Sequence, residues 1–190
     1  RIEELPPLPP PTEEQLKRGQ AMLDKLAHVI ENVSLQNAAA VLAEFGFSEY
    51  TTTILPTYIW VYPKSASSER AGPAEYAGTG LISISIDPLI KKENEKRFAS
   101  MQANFDLEIL CITPEDVYRK YGDGPHATVG FVMTPRSVRP RKQVNRIGYL
   151  RFAPIAVPTN AVGQVGFTFD YQHCARSVGV NYLEPLETKQ

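Results

Sequence analysis

Nucleophilic catalysis is one chemistry that this sequence could support, because it contains two cysteines and three histidines. A catalytic thiolate needs an imidazole close enough to activate it. The available residues are Cys111, Cys174, His28, His126 and His173. His173 and Cys174 are adjacent in the chain, but adjacent residues on a strand point to opposite faces of a sheet. We therefore predict structural roles for the cysteines and no cysteine–histidine catalytic pair.

The cysteines also bear on the compartment in which the protein folds. Cys111 lies in the apolar stretch Leu107–Ile112, and we predict that it behaves as a small buried hydrophobic residue. A single disulfide between Cys111 and Cys174 is the alternative, and it would suit an oxidising compartment. The sequence does not decide between these states, so the localisation stays unknown.

A serine nucleophile is a second candidate. The run Ala175–Gly179 has the form A-x-S-x-G and faintly resembles the nucleophile elbow of α/β-hydrolases, with Ser177 at the turn. In that fold the acid and then the histidine follow the serine along the chain. Here eleven residues follow Gly179, and none of them is a histidine. We predict that Ser177 is not a nucleophile.

The sequence lacks the usual motifs for binding a metal ion or a cofactor. The histidines and cysteines form no close ligand pair such as C-x-x-C or H-x-x-x-H. The runs Gly78–Gly80 and Gly122–Gly124 contain paired glycines, but neither continues into a Walker or dinucleotide-binding pattern. We interpret both as turns, and we predict no metal site and no cofactor.

Two pairs of carboxylates are the remaining candidates for acid–base catalysis. Glu115 and Asp116 are explained by the first turn of a predicted helix, where acids interact favourably with the helix dipole. Asp106 and Glu108 would share one face of a predicted strand, and nothing in the sequence predicts a raised pKa for either. An enzyme whose site is assembled from scattered residues stays an alternative, but we predict a protein without catalytic residues.

A basic segment carries the strongest functional signal. No Asp or Glu occurs from Gly124 to Phe169, whereas five arginines and one lysine give that span a local charge of +6, in a chain of net charge −1. Arginine binds carboxylates and phosphates through paired hydrogen bonds. The predicted binding residues, here called the basic segment, are Arg136, Arg139, Arg141, Lys142, Arg146 and Arg151. The alternative is that the basic segment has no recognition role, and either keeps the protein soluble or pairs with the acidic N-terminal helices.

These observations favour a non-enzymatic protein-interaction domain, such as an inhibitor, an immunity-type protein or an assembly subunit. Its basic segment would dock on an acidic protein surface. A nucleic-acid-binding or coat-like structural protein is the alternative, although domains of that class are usually basic overall. Tyr149 and Phe152 lie near the segment and could anchor an interface, but on strands such residues are more often core. The oligomeric state is not readable from the sequence.

Residues 1–11 are predicted to form a proline-rich leader, because Leu5–Pro11 contains five prolines and favours polyproline II. Residues 12–190 are predicted to form a single α+β globular domain, a length sufficient to bury a sizeable core. No apolar run approaches the roughly 20 residues that a membrane-spanning helix needs. We therefore predict a soluble chain with no membrane span.

Helices are expected early and strands late. Thr12 with Gln15 forms a capping-box pattern before a helix over 13–31, and Ser34 could cap a second helix that ends at Gly46. Asp87 and Pro88 predict a helix that continues to Met101, and Thr113 predicts a short one that ends at Gly122. The predicted strands are Tyr50–Val61 with an interruption at Pro56, Gly80–Asp87, Phe105–Ile112, Ala127–Met133, Arg146–Phe152, Gln164–Tyr171 and Ser177–Tyr182.

This order of elements predicts an α+β fold. Two N-terminal helices would be followed by a mainly antiparallel or mixed twisted sheet with one or two further short helices. In the strand Gly80–Asp87, Ile82, Ile84 and Ile86 should share the buried face, because side chains alternate between faces along a strand. No internal sequence repeat is present.

Overall fold

A computed structural model describes residues 9–56, 59–64, 78–88, 98–122, 127–133, 146–158, 161–169 and 174–183. Within these ranges, three α-helices and one eight-stranded sheet are present. All seven strand pairs are antiparallel. The α+β prediction is confirmed. The proposed leader at residues 1–11 lies mostly outside the described residues and stays a prediction.

The two N-terminal helices follow their predicted signals closely. Helix α1 spans Glu13–Asn32, and its capping box joins the Thr12 side chain to the Gln15 backbone and the Gln15 side chain to the Thr12 backbone. Helix α2 spans Ala38–Glu44. Its N-cap is Asn37, whose side chain accepts a hydrogen bond from the Ala40 amide, and not Ser34 as predicted. Gly46 follows the helix with a φ of +88°, a conformation that glycine adopts without strain.

The first three strands form a meander after α2. Strand β1 spans Tyr50–Ile54, β2 spans Ile59–Pro63, and β3 spans Leu81–Asp87. The register of β3 against the next strand shifts between Leu81 and Ser83. Because of this bulge, Ile82 is 47% exposed while Ile84 and Ile86 are buried, so the prediction that all three isoleucines share the buried face was wrong for Ile82.

Strand β4 corrects two further predictions. It spans Phe98–Phe105, so residues 98–101 are strand where the end of a helix was predicted, and residues 89–97 of that predicted helix lie outside the described residues. Residues 107–109 form a turn, and 110–113 have no regular structure, so the strand predicted over Phe105–Ile112 is also wrong. Cys111 instead donates from its backbone amide to the Gln15 carbonyl of α1, at 2.9 Å. The Leu107–Ile112 stretch is therefore a connection whose buried part, residues 110–112, is held against α1.

The second half of the chain agrees well with expectation. Helix α3 spans Pro114–Tyr121 and begins with a capping box between Thr113 and Asp116. Four strands follow it: β5 (Ala127–Met133), β6 (Arg146–Ile155), β7 (Val162–Phe169) and β8 (Ala175–Leu183). For β5, only the backbone pairing is described.

The topology contains a repeat that the sequence did not reveal. The strand order is β1-β2-β3-β4-β8-β7-β6-β5, so each half of the sheet is a four-stranded antiparallel meander. The first meander follows α1 and α2, and the second follows α3. Their last strands, β4 and β8, pair at the centre of the sheet. The domain thus consists of two similar units that share one continuous sheet.

The described helices pack on one face of this sheet. The Tyr182 hydroxyl of β8 donates to the Ile30 carbonyl of α1 at 2.9 Å. The Tyr121 ring of α3 lies 5.4 Å from the Phe152 ring and 6.2 Å from the Phe167 ring, between centroids. These aromatic side chains fill the space between the helices and strands. Burial raises the pKa of the Tyr182 hydroxyl to about 12, so it stays a neutral hydrogen-bond donor.

A disulfide joins Cys111 to Cys174 at a sequence separation of 63. Cys111 is buried as predicted, but the expectation that it is an unpaired hydrophobic residue was wrong. The sequence could not decide this point, because the pairing depends on β8 returning to the centre of the sheet beside the segment that precedes α3. A backbone hydrogen bond from Ala175 to Ile112, at 2.9 Å, reinforces the same junction.

Candidate interaction face

The face of the sheet opposite the helices is the candidate functional site. Strand β4 reveals the alternation: Ala99, Met101, Ala103 and Phe105 are buried towards the helices, and the intervening side chains are exposed or half-buried. No described helix covers those intervening side chains. We call this surface the open face; across β2, β3, β4, β8, β7 and β6 it comprises Trp60, Tyr62, Ser83, Ser85, Asp87, Ser100, Gln102, Asn104, Ser177, Gly179, Asn181, Gln164, Gly166, Thr168, Tyr149 and Arg151.

The strand register places a polar row across the middle of the open face. Gln102 of β4 is opposite Gly179 of β8, which is opposite Gly166 of β7. Gly166 is in turn opposite Arg151 of β6. Two glycines therefore separate the Gln102 amide from the Arg151 guanidinium. The position above Gly179 forms a shallow depression beside Gln102, whereas Tyr149 covers Gly166 on the side of Arg151.

The two glycines of this row have different surroundings. A Cβ atom on Gly166 would overlap the hydroxyl and ring of Tyr149, so the Tyr149 side chain lies flat over that glycine. A Cβ on Gly179 would meet no atom of the described residues within 4 Å. The surface above Gly179 is therefore open, and Tyr149 forms one wall beside it.

Two aromatic side chains mark the other side of the open face. Val61 of β2 is buried towards the helices, so its neighbours Trp60 and Tyr62 point the opposite way. Their ring centroids lie 5.0 Å apart, and Trp60 is 41% exposed. Five strand spacings separate β2 from β6, which corresponds to about 24 Å. The aromatic residues thus lie on both sides of a wide polar surface.

Charge on the open face is uneven. Arg151 is exposed, and among the described residues no carboxylate forms an ion pair with it. Arg176 is exposed at the register shift that begins β8. The one described acid of the face is Asp87 on β3, which accepts a hydrogen bond from Ser100 at 3.2 Å. Burial raises the pKa of the Asp87 carboxyl above its usual value, and the Ser100 bond partly offsets this.

The basic segment is only partly described. Arg136, Arg139, Arg141 and Lys142 lie outside the described residues, and Arg146 contributes a backbone pair with Met133. Arg151 is placed on the open face beside Tyr149. Of the two aromatic residues noted near the segment, Phe152 is core and Tyr149 is on the open face.

The catalytic candidates do not form a site in the described chain. Both cysteines are in the disulfide, so neither provides a thiolate. Ser177 lies within β8, opposite Asn104 and Thr168 on the neighbouring strands, and not on the sharp turn that a nucleophile elbow requires. His28 is exposed on α1, whereas His126 and His173 lie outside the described residues.

The carboxylate candidates have structural partners. The Asp106 side chain accepts a hydrogen bond from the Glu108 amide in the turn after β4. Asp116 is buried, and one of its oxygens accepts bonds from the Thr113 backbone and hydroxyl at 3.1 and 2.9 Å. Its other oxygen accepts from Gln20 of α1 and from Arg119, each at 3.2 Å. Asp116 therefore completes the capping box of α3, whose N-cap is Thr113, and links α3 to α1.

Replacing Asp116 with alanine is expected to lower the free energy of unfolding by about 2–3 kcal/mol, measured by urea denaturation. The substitution removes one half of the capping box of α3 and leaves the half-buried amide and hydroxyl of Thr113 without their acceptor. Glu115→Ala is the matched control, because Glu115 is an exposed neighbour on the same turn, and its effect should stay within about 0.5 kcal/mol. Equal effects of the two substitutions would contradict the structural role of Asp116.

Within the described residues, no group of three or more metal-ligating side chains converges on one point. None of the described helices is long and apolar enough to cross a membrane. The fold and the open face define a class: an antiparallel α+β domain of two joined meanders that exposes one face of its sheet. No family model, curated protein or solved structure matches the chain.

Sequence reasoning missed most of the open face. Trp60 and Tyr62 were interpreted only as typical strand residues, since nothing in a single sequence indicates which face of β2 the helices cover. Gly179 was considered only as part of the A-x-S-x-G run. The signal that could have identified the face is the alternation of Ser100, Gln102 and Asn104 with apolar residues, which is typical of a strand with one solvated side.

Proposed function

We propose that this chain is a non-enzymatic protein-interaction domain that docks on an acidic surface of a partner protein through its basic segment. Inhibitors, immunity-type proteins and assembly subunits are the kinds of protein that fit this role. The observation that carries the proposal is the absence of acids from Gly124 to Phe169 in a span of charge +6. Charges of one sign on one surface attract and orient a partner of opposite charge.

Arg151 supports this proposal from the described part of the basic segment. Its side chain is exposed, and no described carboxylate pairs with it, so its charge is available to a partner. An internal role would instead leave it paired, because arginines that stabilise a fold are usually matched with carboxylates.

Nucleic acid is less well supported as the partner. The chain has a net charge of −1 and a sequence pI near 6.4, whereas a nucleic-acid-binding domain needs enough positive charge to displace counterions along a phosphate backbone. The experiment below separates the two kinds of partner.

The proposal is tested by affinity capture from the native source, with and without nuclease, followed by mass spectrometry. A protein partner that is retained after nuclease treatment is the expected result. Retention of RNA or DNA, with loss of all bound protein after nuclease treatment, would instead identify a nucleic-acid-binding protein and overturn the proposal.

Replacing Arg139, Arg141 and Lys142 together with alanine should weaken binding to the captured partner at least tenfold and reduce its dependence on salt concentration. The free energy of unfolding should change little, because an exposed surface substitution typically contributes within about 0.5 kcal/mol. Calorimetric titration at two salt concentrations and urea denaturation measure the two quantities. Strong destabilisation of the variant would show that these residues form an internal network and not a recognition surface.

A further inference from the structure

We infer that the open face of the sheet is the surface on which the partner is seated, and that a carboxylate of the partner lies above Gly179 and binds Arg151. This inference rests on the proposed function, because it specifies where on the domain the acidic partner docks. Besides Arg151, which the charge pattern already indicated, it assigns a binding role to Trp60, Tyr62, Tyr149 and Gly179, which that pattern did not indicate.

Charge complementarity identifies the occupant as an acidic protein surface. Among the described residues, the half of the open face formed by β6, β7 and β8 has one charged side chain, Arg151, and Arg176 is exposed at its margin. Asp87 lies on β3, four strand spacings or about 19 Å away from β6. An arginine on a polar surface without a carboxylate beside it provides paired donors for a carboxylate of a partner.

The shape of the surface indicates where that carboxylate enters. Gly179 and Gly166 lie side by side, and the space above Gly179 is open, so backbone or a short acidic side chain of a partner can approach the sheet closely there. Tyr149 closes one side of this depression and Gln102 lies on the other. Arg151 lies in the same row two strand spacings, or about 10 Å, from Gly179, so its long side chain must extend past the Tyr149 ring over Gly166 to bind that carboxylate.

The aromatic residues indicate that the occupant is a protein and not a small anion. Trp60, Tyr62 and Tyr149 are not buried in the core, although tyrosine and tryptophan are the side chains most enriched among binding hot spots. They span about 24 Å across the strands, a width that a folded surface covers and a small molecule does not. The polar groups between them suit the hydrogen-bonded, hydrated contacts of a protein interface.

Gly179→Phe tests the position of the partner. A Cβ meets no atom within 4 Å at Gly179, and its φ lies outside the left-handed region, so the ring should be accommodated in the free protein. The melting temperature should therefore change by no more than about 2 °C, while the affinity for the protein partner captured above falls at least 100-fold. Ala21→Phe is the matched control, because Ala21 is exposed on α1 in the helix layer, and its affinity should be unchanged.

Arg151→Gln tests the chemistry of the contact. It removes the charge and keeps most of the side-chain length, and we expect at least a tenfold loss of affinity together with a weaker dependence on salt. Arg18→Gln, an exposed arginine on α1 that pairs with Glu14, should leave the affinity unchanged. A photo-crosslinker introduced at Gln102 should attach to a segment of the partner that contains Asp or Glu.

The outcomes separate this inference from the proposed function. If no protein partner is captured, both the proposed function and this inference are refuted. If a partner is captured and the triple variant at Arg139, Arg141 and Lys142 weakens binding, but Gly179→Phe and Arg151→Gln bind normally, the proposed function stands and the open face is not the docking surface. If Gly179→Phe unfolds, Gly179→Ser replaces it, and normal binding by Gly179→Ser together with Arg151→Gln overturns the inference.

Discussion

Removing the disulfide between Cys111 and Cys174 is expected to lower the free energy of unfolding by roughly 4 kcal/mol. A cross-link across 63 positions restricts the unfolded chain, and loop-closure entropy gives a stabilisation of that size at 25 °C. This is a large share of the total, because domains are stable by only about 5–15 kcal/mol. The melting temperature should fall by roughly 8–16 °C in a domain of this length.

The measurement is urea unfolding of the double variant Cys111→Ala, Cys174→Ala, compared with the parent protein with and without a reducing agent. Reduction should destabilise the parent by an amount similar to the double substitution and should leave the double variant unaffected. A loss below about 1 kcal/mol would contradict the prediction. It would mean that the hydrogen bonds from Cys111 to Gln15 and from Ala175 to Ile112 hold this junction without the cross-link.

Local signals predicted the helices and most strands of this fold well. Thr12 and Thr113 each begin a helix with a capping box, and Gly46 and Gly122 follow helices with positive φ angles. These signals act within a few residues, so a single sequence contains them completely. The helix boundaries predicted at Thr12, Gly46, Thr113 and Gly122 were therefore confirmed, whereas the predicted Ser34 cap was wrong because Asn37 caps α2.

Strand β4 shows where local signals were insufficient. Met101, Gln102 and Ala103 favour helices in isolation, and the predicted helix start at Asp87 reinforced that interpretation. The strand exists because β3 and β8 flank it and pair with it along most of its length. Tertiary pairing overrides propensity, and one sequence does not reveal which strands will be neighbours.

The candidate site depended even more on long-range structure. Arg151 was predicted as a binding residue from charge alone, and its side chain is exposed. Gly166 and Gly179 become a feature of the surface only because β7 and β8 pair in one register. A shift of one residue in either strand would turn the glycine of that strand towards the helices. The sequence therefore indicated the positive charge of the candidate site, but not the surface that the paired glycines form.

Gly19→Ala is expected to destabilise the protein by about 1–3 kcal/mol, although alanine in place of glycine inside an ordinary helix adds up to about 1 kcal/mol of stability. Gly19 is buried in α1 against the segment that precedes α3. A Cβ there would overlap the Cys111 carbonyl and lie 3.0 Å from the Ile112 amide nitrogen. These are backbone atoms, so no side-chain rotation relieves the overlap, and α1 must move away from the segment.

Urea unfolding of Gly19→Ala tests this close approach, with Gly179→Ala as the matched control. Gly179 has open space around its Cβ direction, so its substitution should leave stability unchanged or slightly raised. Amide exchange at Cys111 provides a second measurement, because its amide bonds the Gln15 carbonyl of α1 and should exchange faster once the helix is displaced. Stabilisation of Gly19→Ala by the usual helix preference, with slow exchange at Cys111 retained, would show that the helix and the segment before α3 do not contact each other at Gly19.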